Sequence, residues 1–422
     1  MDSEEEYLRL VWICHFSSVE VRAKLRLSKY ALINDFAPWI PAAISGFESM
    51  NDPKLDLHII APHTGMRSLI CSFKLRSTTY HFFNAAIPLI HRRWWKFPVV
   101  FRRPLFKQYW LNRLLIQKFV DKIKPDIITL WGAENPYYSI SALDLFHKYP
   151  VIVLLQGIYS DPSAQETYET YTTYDHSRAS LERKIHASCK YFGSAVQYMT
   201  DLVLKDNQHA TIFNIGVTRT VHRSLNISED QKEFDIVFFA RLTKLKGIEE
   251  LLKATKIVKL SKHNVLLCII GPQDNQEYVQ YIRTLIEDLG IKENVKMLGS
   301  IQDQKDLHAE VSKARISVLP TYKDGMPNTI TESIYLGIPV ISCNTGLIPS
   351  LNEGDERIII LERGDISGLA QKILLLLENP GLREQYAEKA RRYLIEKYDN
   401  KAEAKRMLRI YQEILWLEKA KK

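Results

Sequence analysis

The chain is predicted to be an α/β protein built on parallel sheets, and three observations carry that reading. Short apolar runs of strand type recur along its 422 residues, each followed by a polar loop and then a helical pattern. The series runs once to about residue 205 and starts again at Asp235. The apolar fraction of 46% and charged fraction of 25% are those of an ordinary globular protein, and the length suggests two or three domains. We therefore divide the chain into residues 1–208, 209–395 and a closing helical segment, 396–422. Alternation of this kind places ligands at the carboxyl ends of the strands.

Charge and cysteine usage bound the function. A net charge of +8 points to an acidic partner such as a nucleotide, a nucleic acid or anionic lipid. The five cysteines are scattered without a C-x-x-C pair, which argues for a reducing compartment and against a structural zinc site. Asp2, Glu4, Glu5 and Glu6 reverse the basic start of a signal peptide. No apolar run approaches the length of a membrane span. The expectation is a cytoplasmic protein with no structural zinc site and no cofactor.

In the first half, Tyr7 to His15 reads as a buried strand and Ser17 to Leu32 as a helix. His15 and Ser17 stand at the end of that strand, where a lone histidine is more often simply packed. Leu55 to Ala61 and Thr79 to Phe83 read as strands. Phe106 to Ile123 has the spacing of an amphipathic helix, ended by Pro125. Asp126 to Trp131 is a strand whose loop is Gly132-Ala133-Glu134-Asn135-Pro136. Tyr138 to Lys148 looks helical, and Val151 to Leu155 is a strand ending in Gln156-Gly157. Glu134, Asn135 and Gln156 thus follow strand ends and are candidate binding residues. Asp161 to Thr173 is polar, without periodicity, and suggests a loop over the site. A helix over 180–187, a short strand at Tyr191 to Gly193 and a helix over 199–206 follow.

His91 to Arg113 has an unusual composition. Seven cations (Arg92, Arg93, Lys96, Arg102, Arg103, Lys107 and Arg113) alternate with seven aromatics, including Trp94 and Trp95, and no acidic residue interrupts them. Cations interleaved with aromatics suit an anionic membrane surface, and less well nucleic acid. The plainer alternative is a basic loop whose aromatics pack into the domain.

In the second half, Asp235 to Ala240 reads as a strand that runs into Arg241-Leu242-Thr243-Lys244-Leu245-Lys246-Gly247 and then a helix from Ile248. Strands at 264–270 and 294–298 and helices at 278–289 and 306–314 follow, with Gly299-Ser300-Ile301 as a turn. Ile316 to Leu319 is a strand that opens through a loop containing Asp324, Gly325 and Pro327 onto a helix from about Thr329. Gly337 and Pro339 end that helix, and Val340 to Ser342 resumes a strand. A helix start so placed favours an anionic ligand. Alone, Thr329-x-x-Glu332 also reads as a capping box. Arg357 to Leu361, a helix over 366–378 and two helices at about 382–398 and 401–420 close the chain.

Two motifs in this half carry a resemblance. Asp324 and Glu332 are separated by seven residues, with Gly325 after the first and Gly337-Ile338-Pro339-Val340 after the helix; upstream stand Arg241, Lys246 and Gly247. Together they resemble the signature of retaining GT-B glycosyltransferases of family 4 (glycosyl transferases group 1). One departure is that the first acid is Asp where the family has Glu. The resemblance spans 210–400 and is of topology only before 205; no glycine-rich loop follows the first strand, and Gln156 falls near a family histidine.

The resemblance implies a GT-B fold, two Rossmann-like domains facing a central cleft. It puts the acceptor on 1–208, the nucleotide-sugar donor on 209–395, and the segment 396–422 back on the first domain. It implies transfer of a hexosyl unit from a nucleotide-diphosphate sugar to a glycan acceptor with retention, and no metal. The catalytic residues are then Arg241 and Lys246, which stabilise the diphosphate, and Asp324. Asp324 holds the donor sugar's hydroxyls together with Gly325, Met326, Pro327 and Asn328. Glu332 takes the ribose hydroxyls, and Ile301 lies near the base. Glu134, Asn135 and Gln156 fall on the acceptor side. The family's front-face attack passes the acceptor's proton to the leaving phosphate, so no side-chain base is required. With the basic segment, this leads to a lipid-linked acceptor in cell-surface polysaccharide assembly, peripheral binding to the inner face of the membrane, and no nucleic acid. Two alternatives stand beside it. An epimerase of the same fold would consume no acceptor. A non-catalytic module for an anionic polymer would need one continuous basic stripe.

Overall fold

A computed structural model describes residues 7–28, 37–85, 109–161, 172–215, 218, 227–273, 275–324, 326–397 and 399–420. The chain divides into two compact units, residues 1–220 with 398–422, and residues 221–397.

The first unit holds β1 (Leu8–Ile13), β2 (Leu55–His63), β3 (Ile70–Leu75), β4 (Thr78–Asn84), β5 (Ile127–Trp131), β6 (Val151–Leu154), β7 (Tyr191–Gly193) and β8 (Thr211–Phe213). They form one sheet in the order β3-β4-β2-β1-β5-β6-β7-β8, parallel except for β3 against β4. Parallel strands are covered on both faces, so β1 is apolar at successive positions rather than alternate ones. Leu10 and Trp12 face a core with helix α1 (Trp39–Glu48) and the C-terminal helix Asn400–Lys419. Val11 and Ile13 face the opposite core with α2 (Trp110–Ile123) and α3 (Thr173–Ser188); α4 (Gln197–Asp206) packs there too.

The C-terminal helix joins this unit for local reasons. Asp399 caps it, accepting from the N–H groups of Lys401 and Ala402. Ala404, Met407, Tyr411 and Ile414 then repeat at helical spacing and are buried. The Tyr411 ring lies 6.3 Å from Phe47, and Thr129 Oγ1 donates to its hydroxyl at 2.7 Å. The hydroxyl is thereby satisfied inside an apolar contact.

The second unit holds β9 (Phe234–Phe239), β10 (Leu267–Ile270), β11 (Val295–Gly299), β12 (Ala314–Leu319), β13 (Val340–Cys343) and β14 (Ile359–Leu361). Its helices are α5 (Ile248–Ser261), α6 (Gln276–Asp288), α7 (Gln304–Ser312), α8 (Asn328–Tyr335), α9 (Ile366–Glu378) and α10 (Pro380–Lys397). The sheet order is β11-β10-β9-β12-β13-β14, parallel throughout. This is the doubly wound order whose direction of winding reverses between its first and fourth strands, here β9 and β12. In the first unit the reversal lies between β1 and β5.

Several sequence expectations need correction. Of the helix expected over 17–32, the described residues form a single turn, Val19–Arg22, and Leu27 beyond it forms a bridge to Met66; residues 29–32 lie outside the described residues. Tyr138 to Lys148 is two short turns, Pro136–Ser139 and Ala142–Leu145. Helix α1 and strand β3 had no sequence reading. β3 meets β4 through a two-residue turn, Arg76-Ser77, with Arg76 at φ 53°. The Asn-Gly or Asp-Gly pair that usually signals such a turn is absent. Residues 91–108 of the basic segment and 162–171 of the polar loop lie outside the described residues.

At the β2–β4 edge, Asp56 Oδ2 lies 3.1 Å from His58 Nε2, His58 Nδ1 lies 3.0 Å from His81 Nε2, and Ser72 Oγ lies 2.9 Å from His81 Nδ1. Burial, with His58 and Lys122 adding, holds the His81 pKa down to about 4. Burial and His63 do the same to His15, also to about 4. Both folded values lie below the ordinary 6.5, so the unfolded chain binds more protons between those limits. Stability is therefore full above pH 6.5 and falls as pH drops toward 4. A tenfold change in proton affinity corresponds to about 1.4 kcal/mol, so the melting temperature of the first unit is expected to drop steeply across that window. Calorimetry from pH 7 to 4.5 checks this, and the double variant H15Q/H81Q should flatten the slope. A wild-type melting temperature constant over the range would refute it.

Candidate active site

The loops after β9 and β12, at the reversal point of the second sheet, are bound to each other. The Leu245 carbonyl accepts the Tyr322 N–H at 2.8 Å and the Thr321 hydroxyl at 3.1 Å. Tyr322 donates its hydroxyl to Glu250 Oε1 at 3.0 Å, reaching the first turn of α5. Gly247 has φ 73°, and a Cβ there would lie 2.0 Å from the Pro320 carbonyl oxygen. Positive φ and backbone approach both require glycine at this position. Across this junction Lys246 Nζ and the Asp324 carboxylate form a hydrogen-bonded ion pair. Their side chains are 23% and 19% exposed, so the pair is sheltered yet reachable. Arg241 is exposed at the start of the same loop.

Pro327 stands at the N-cap of α8 and supplies no side-chain cap, while Met326 and Asn328 flank it. The capping box read at Thr329 and Glu332 is not formed. Thr329 instead donates its hydroxyl to the Phe239 carbonyl at 2.7 Å, pinning α8 to the end of β9. Released from capping, Glu332 extends to His308 of α7, with 3.5 Å between Oε2 and Nε2. Ile301 follows β11 and packs on the core around Phe234 and Val237. Gly325 lies outside the described residues.

In the first unit, Glu134 and Asn135 follow β5 and Gln156 follows β6, at the carboxyl ends of their strands. Asn135 Nδ2 donates to Glu134 Oε1 at 3.0 Å. Arg178 of α3 donates Nε to the Glu134 backbone carbonyl and Nη2 to Asn135 Oδ1 at 3.0 Å, and its guanidinium lies 3.8 Å over the Tyr159 ring. His15 Nδ1 is hydrogen-bonded to the Tyr137 hydroxyl. Gly132, at φ 85°, leaves the place where a Cβ would sit to the Glu134 carboxyl, 2.3 Å away. Burial pushes the Glu134 pKa up to about 8; Glu182 raises it further, and Arg178 only partly offsets them. Among the described residues, no group of His, Cys, Asp and Glu is arranged to hold a metal ion.

The second unit is a doubly wound α/β domain, with a cation–carboxylate pair at the reversal point where such sheets take their ligands. Residues 221–393 match the family described as glycosyl transferases group 1. The chain is similar to the capsular polysaccharide biosynthesis glycosyltransferase CapM of Staphylococcus aureus, 29% identical over 180 residues, 42% of this chain and 44% of CapM. It is also similar to the N,N'-diacetylbacillosaminyl-diphospho-undecaprenol alpha-1,3-N-acetylgalactosaminyltransferase of Campylobacter jejuni, 25% identical over 53% of this chain and 59% of that enzyme. The chain thus spans less than two thirds of either relative in these matches. Among solved structures, the sucrose-phosphate synthase of Thermosynechococcus elongatus superposes with a TM-score of 0.70 at 15% identity, over 97% of this chain and 100% of that one. That likeness gives the fold, GT-B.

Arg178, Tyr322, Glu250 and His308 were not singled out from sequence. Each acts on a partner at least 24 residues away or on another element, and none belongs to a motif with fixed spacing.

Glu134 gives a test with a definite sign. Its folded pKa of about 8 lies above the ordinary 4.5, so stability is lost as pH rises between those values. Glu134→Gln, which mimics the neutral acid, is expected to raise the melting temperature at pH 7, with a gain in stability on the order of 2–3 kcal/mol. The gain should vanish near pH 4.5. Equal melting temperatures at pH 7 would show that the carboxyl is not held neutral.

Proposed function

We propose that this chain is a retaining, metal-independent glycosyltransferase that moves a hexosyl unit from a nucleotide-diphosphate sugar to a glycan acceptor. The observation that carries the reading is the joining of Lys246 to Asp324 across the reversal point, beside the start of α8. When the donor binds, Lys246 turns to the diphosphate, and Asp324 is released to the sugar hydroxyls. Arg241 adds a second cation to the same phosphates. Negative charge grows on the departing oxygen, and fixed cations offset it most where water is excluded. Backbone N–H groups between Met326 and Asn328, with Gly325, line the sugar, and Glu332 accepts from the ribose. The base lies toward Ile301, and Glu134, Asn135 and Gln156 take the acceptor.

CapM is named for capsular polysaccharide and the Campylobacter enzyme for a diphospho-undecaprenol substrate. They support a lipid-linked acceptor in cell-surface polysaccharide assembly. The basic aromatic segment supports peripheral attachment to the inner leaflet. At its end, on α2, Trp110 of the segment and Leu114 just beyond it stand one helical turn apart and more than half exposed. Among the described residues no helix is long and apolar enough to cross a membrane.

The first test is thermal stabilisation by a panel of nucleoside diphosphates, since a ligand of the native state raises its melting temperature. Arg241→Ala and Lys246→Ala are each expected to lose about 3 kcal/mol of transition-state stabilisation, roughly a hundredfold in rate. Folded variants that keep near wild-type turnover would refute the assignment.

Membrane attachment is tested separately by co-sedimentation with liposomes, with and without anionic lipid. Each Lys or Arg near an anionic surface contributes about 1 kcal/mol. Arg92, Arg93, Arg102 and Arg103 changed to Glu should therefore leave the protein in the supernatant. A wild-type chain that stays in the supernatant at low salt would defeat this part.

A further inference from the structure

His308 belongs to no motif, yet it occupies a costly position. It lies on the inner face of α7 beside Val311 and Ser312, and its side chain is only 8% exposed. An imidazole buried there needs a polar partner, whereas an apolar residue would not. Its Nε2 points to Glu332 Oε2 at 3.5 Å. Helix α7 is fixed at its start by Asp303, which accepts from the N–H groups of Lys305 and Asp306. At its end it leads through Lys313 into β12. The imidazole is therefore presented from a rigid element.

Glu332 is the counterpart. Its side chain is 14% exposed, and among the described residues it accepts no hydrogen bond; its ion-pair contact is with His308. A carboxylate can accept about four hydrogen bonds. One mostly sheltered and approached on one side by an imidazole keeps acceptor positions that a pair of hydroxyl groups can use. The 3.5 Å separation is longer than a good hydrogen bond. His308 Nε2 is buried and makes no hydrogen bond among the described residues, so its close approach limits where the carboxylate can lie while leaving its acceptor sites unoccupied.

We propose that His308 is a positioning residue that aims Glu332 at the ribose diol of the donor nucleotide, and so sets the preference for ribonucleotide over deoxyribonucleotide. This rests on the reading of Glu332 given above. Without the imidazole the carboxylate has no fixed neighbour, and the two hydrogen bonds to the diol lose their geometry. The phosphate contacts of Arg241 and Lys246 are untouched by the change.

The test uses the full chain and isothermal titration. UDP, GDP and ADP are compared first, and the nucleotide that binds is then measured against its 2′-deoxy and 2′,3′-dideoxy forms. A hydrogen bond to a charged group contributes about 1.5–3 kcal/mol, so wild type should prefer the ribonucleotide by roughly ten- to a hundredfold. His308→Leu should weaken the ribonucleotide about tenfold and leave the dideoxy form unchanged, so the preference collapses. His308→Gln, which keeps a donor, should retain most of it. In a Glu332→Ala background, His308→Leu should have no further effect. Equal weakening of ribo and dideoxy forms would make His308 merely structural and overturn the proposal. So would full preference in His308→Leu, or an undiminished effect in the Glu332→Ala background. Should His308→Leu not fold, a His308→Gln variant without preference would overturn it equally. Wild type that binds all forms alike would refute the ribose role of Glu332, and with it this proposal. Wild type that binds none of the three nucleotides would instead refute the donor assignment to the second unit.

Discussion

The Leu245 carbonyl oxygen accepts from both the Tyr322 N–H and the Thr321 hydroxyl, and on this seam the binding end of the second unit depends. Two loops that lie 78 residues apart in sequence, measured from Lys246 to Asp324, are made one surface by it. A pair of backbone-directed hydrogen bonds contributes only about 1 kcal/mol each to stability. Their effect on geometry is larger. Without them the Lys246–Asp324 pair would be two long side chains on separate loops, and such pairs, when exposed, contribute little. With them the ion pair is held where the sheet winding reverses and the strand ends diverge. Gly247 is the condition for the seam, because any side chain there would collide with the Pro320 backbone.

Much of this was legible in the sequence because local and global signals agree there. The apolar runs at 235–240 and 316–319 could only be buried parallel strands, and Gly247, Gly337 and Pro339 punctuate the helices where the structure bends. Arg241, Lys246, Asp324 and Glu332 were singled out by resemblance to two family motifs, and the structure pairs Lys246 with Asp324 and brings Glu332 to His308. What escaped had no local signal. Arg76 takes positive φ in the β3–β4 turn without being Gly or Asn, so the hairpin left no mark. Arg178 is 43 residues from the Asn135 it holds, and His308 is 24 residues from Glu332. The capping alternative at Thr329 was left open for a different reason. Its hydroxyl has two possible uses, capping its own helix or bonding a neighbouring strand, and the nearness of the Phe239 carbonyl decided between them.

The bond that Thr329 makes bears on function. A glutamate closed back on a helix start is occupied, whereas Glu332 as it stands accepts from no group among the described residues. The same sequence pattern therefore has opposite consequences for ligand binding, depending on one hydroxyl. Tertiary contact of Thr329 with β9 both anchors α8 and frees the carboxylate eight residues after Asp324. Structure and availability come from one bond of 2.7 Å.

The two units place polar side chains at the same topological position with different electrostatics. In the second, Arg241 is exposed and Lys246 is partly open beside Asp324, and on the proposed reading a bound diphosphate would replace that carboxylate partner. In the first, burial holds Glu134 up near 8 and His15 down near 4, so both are neutral at pH 7. Arg178, the cation closest in the network, is committed to the Glu134 backbone carbonyl, Asn135 Oδ1 and the Tyr159 ring. A site so desolvated and so nearly uncharged disfavours a free anion, because nothing is left to offset the cost of taking its charge out of water. It suits hydroxyl groups, which exchange water for the amide, phenol and neutral acid at little electrostatic cost. That contrast is a physical argument, independent of any relative, in favour of the proposal that the charged donor binds the second unit and the sugar acceptor the first.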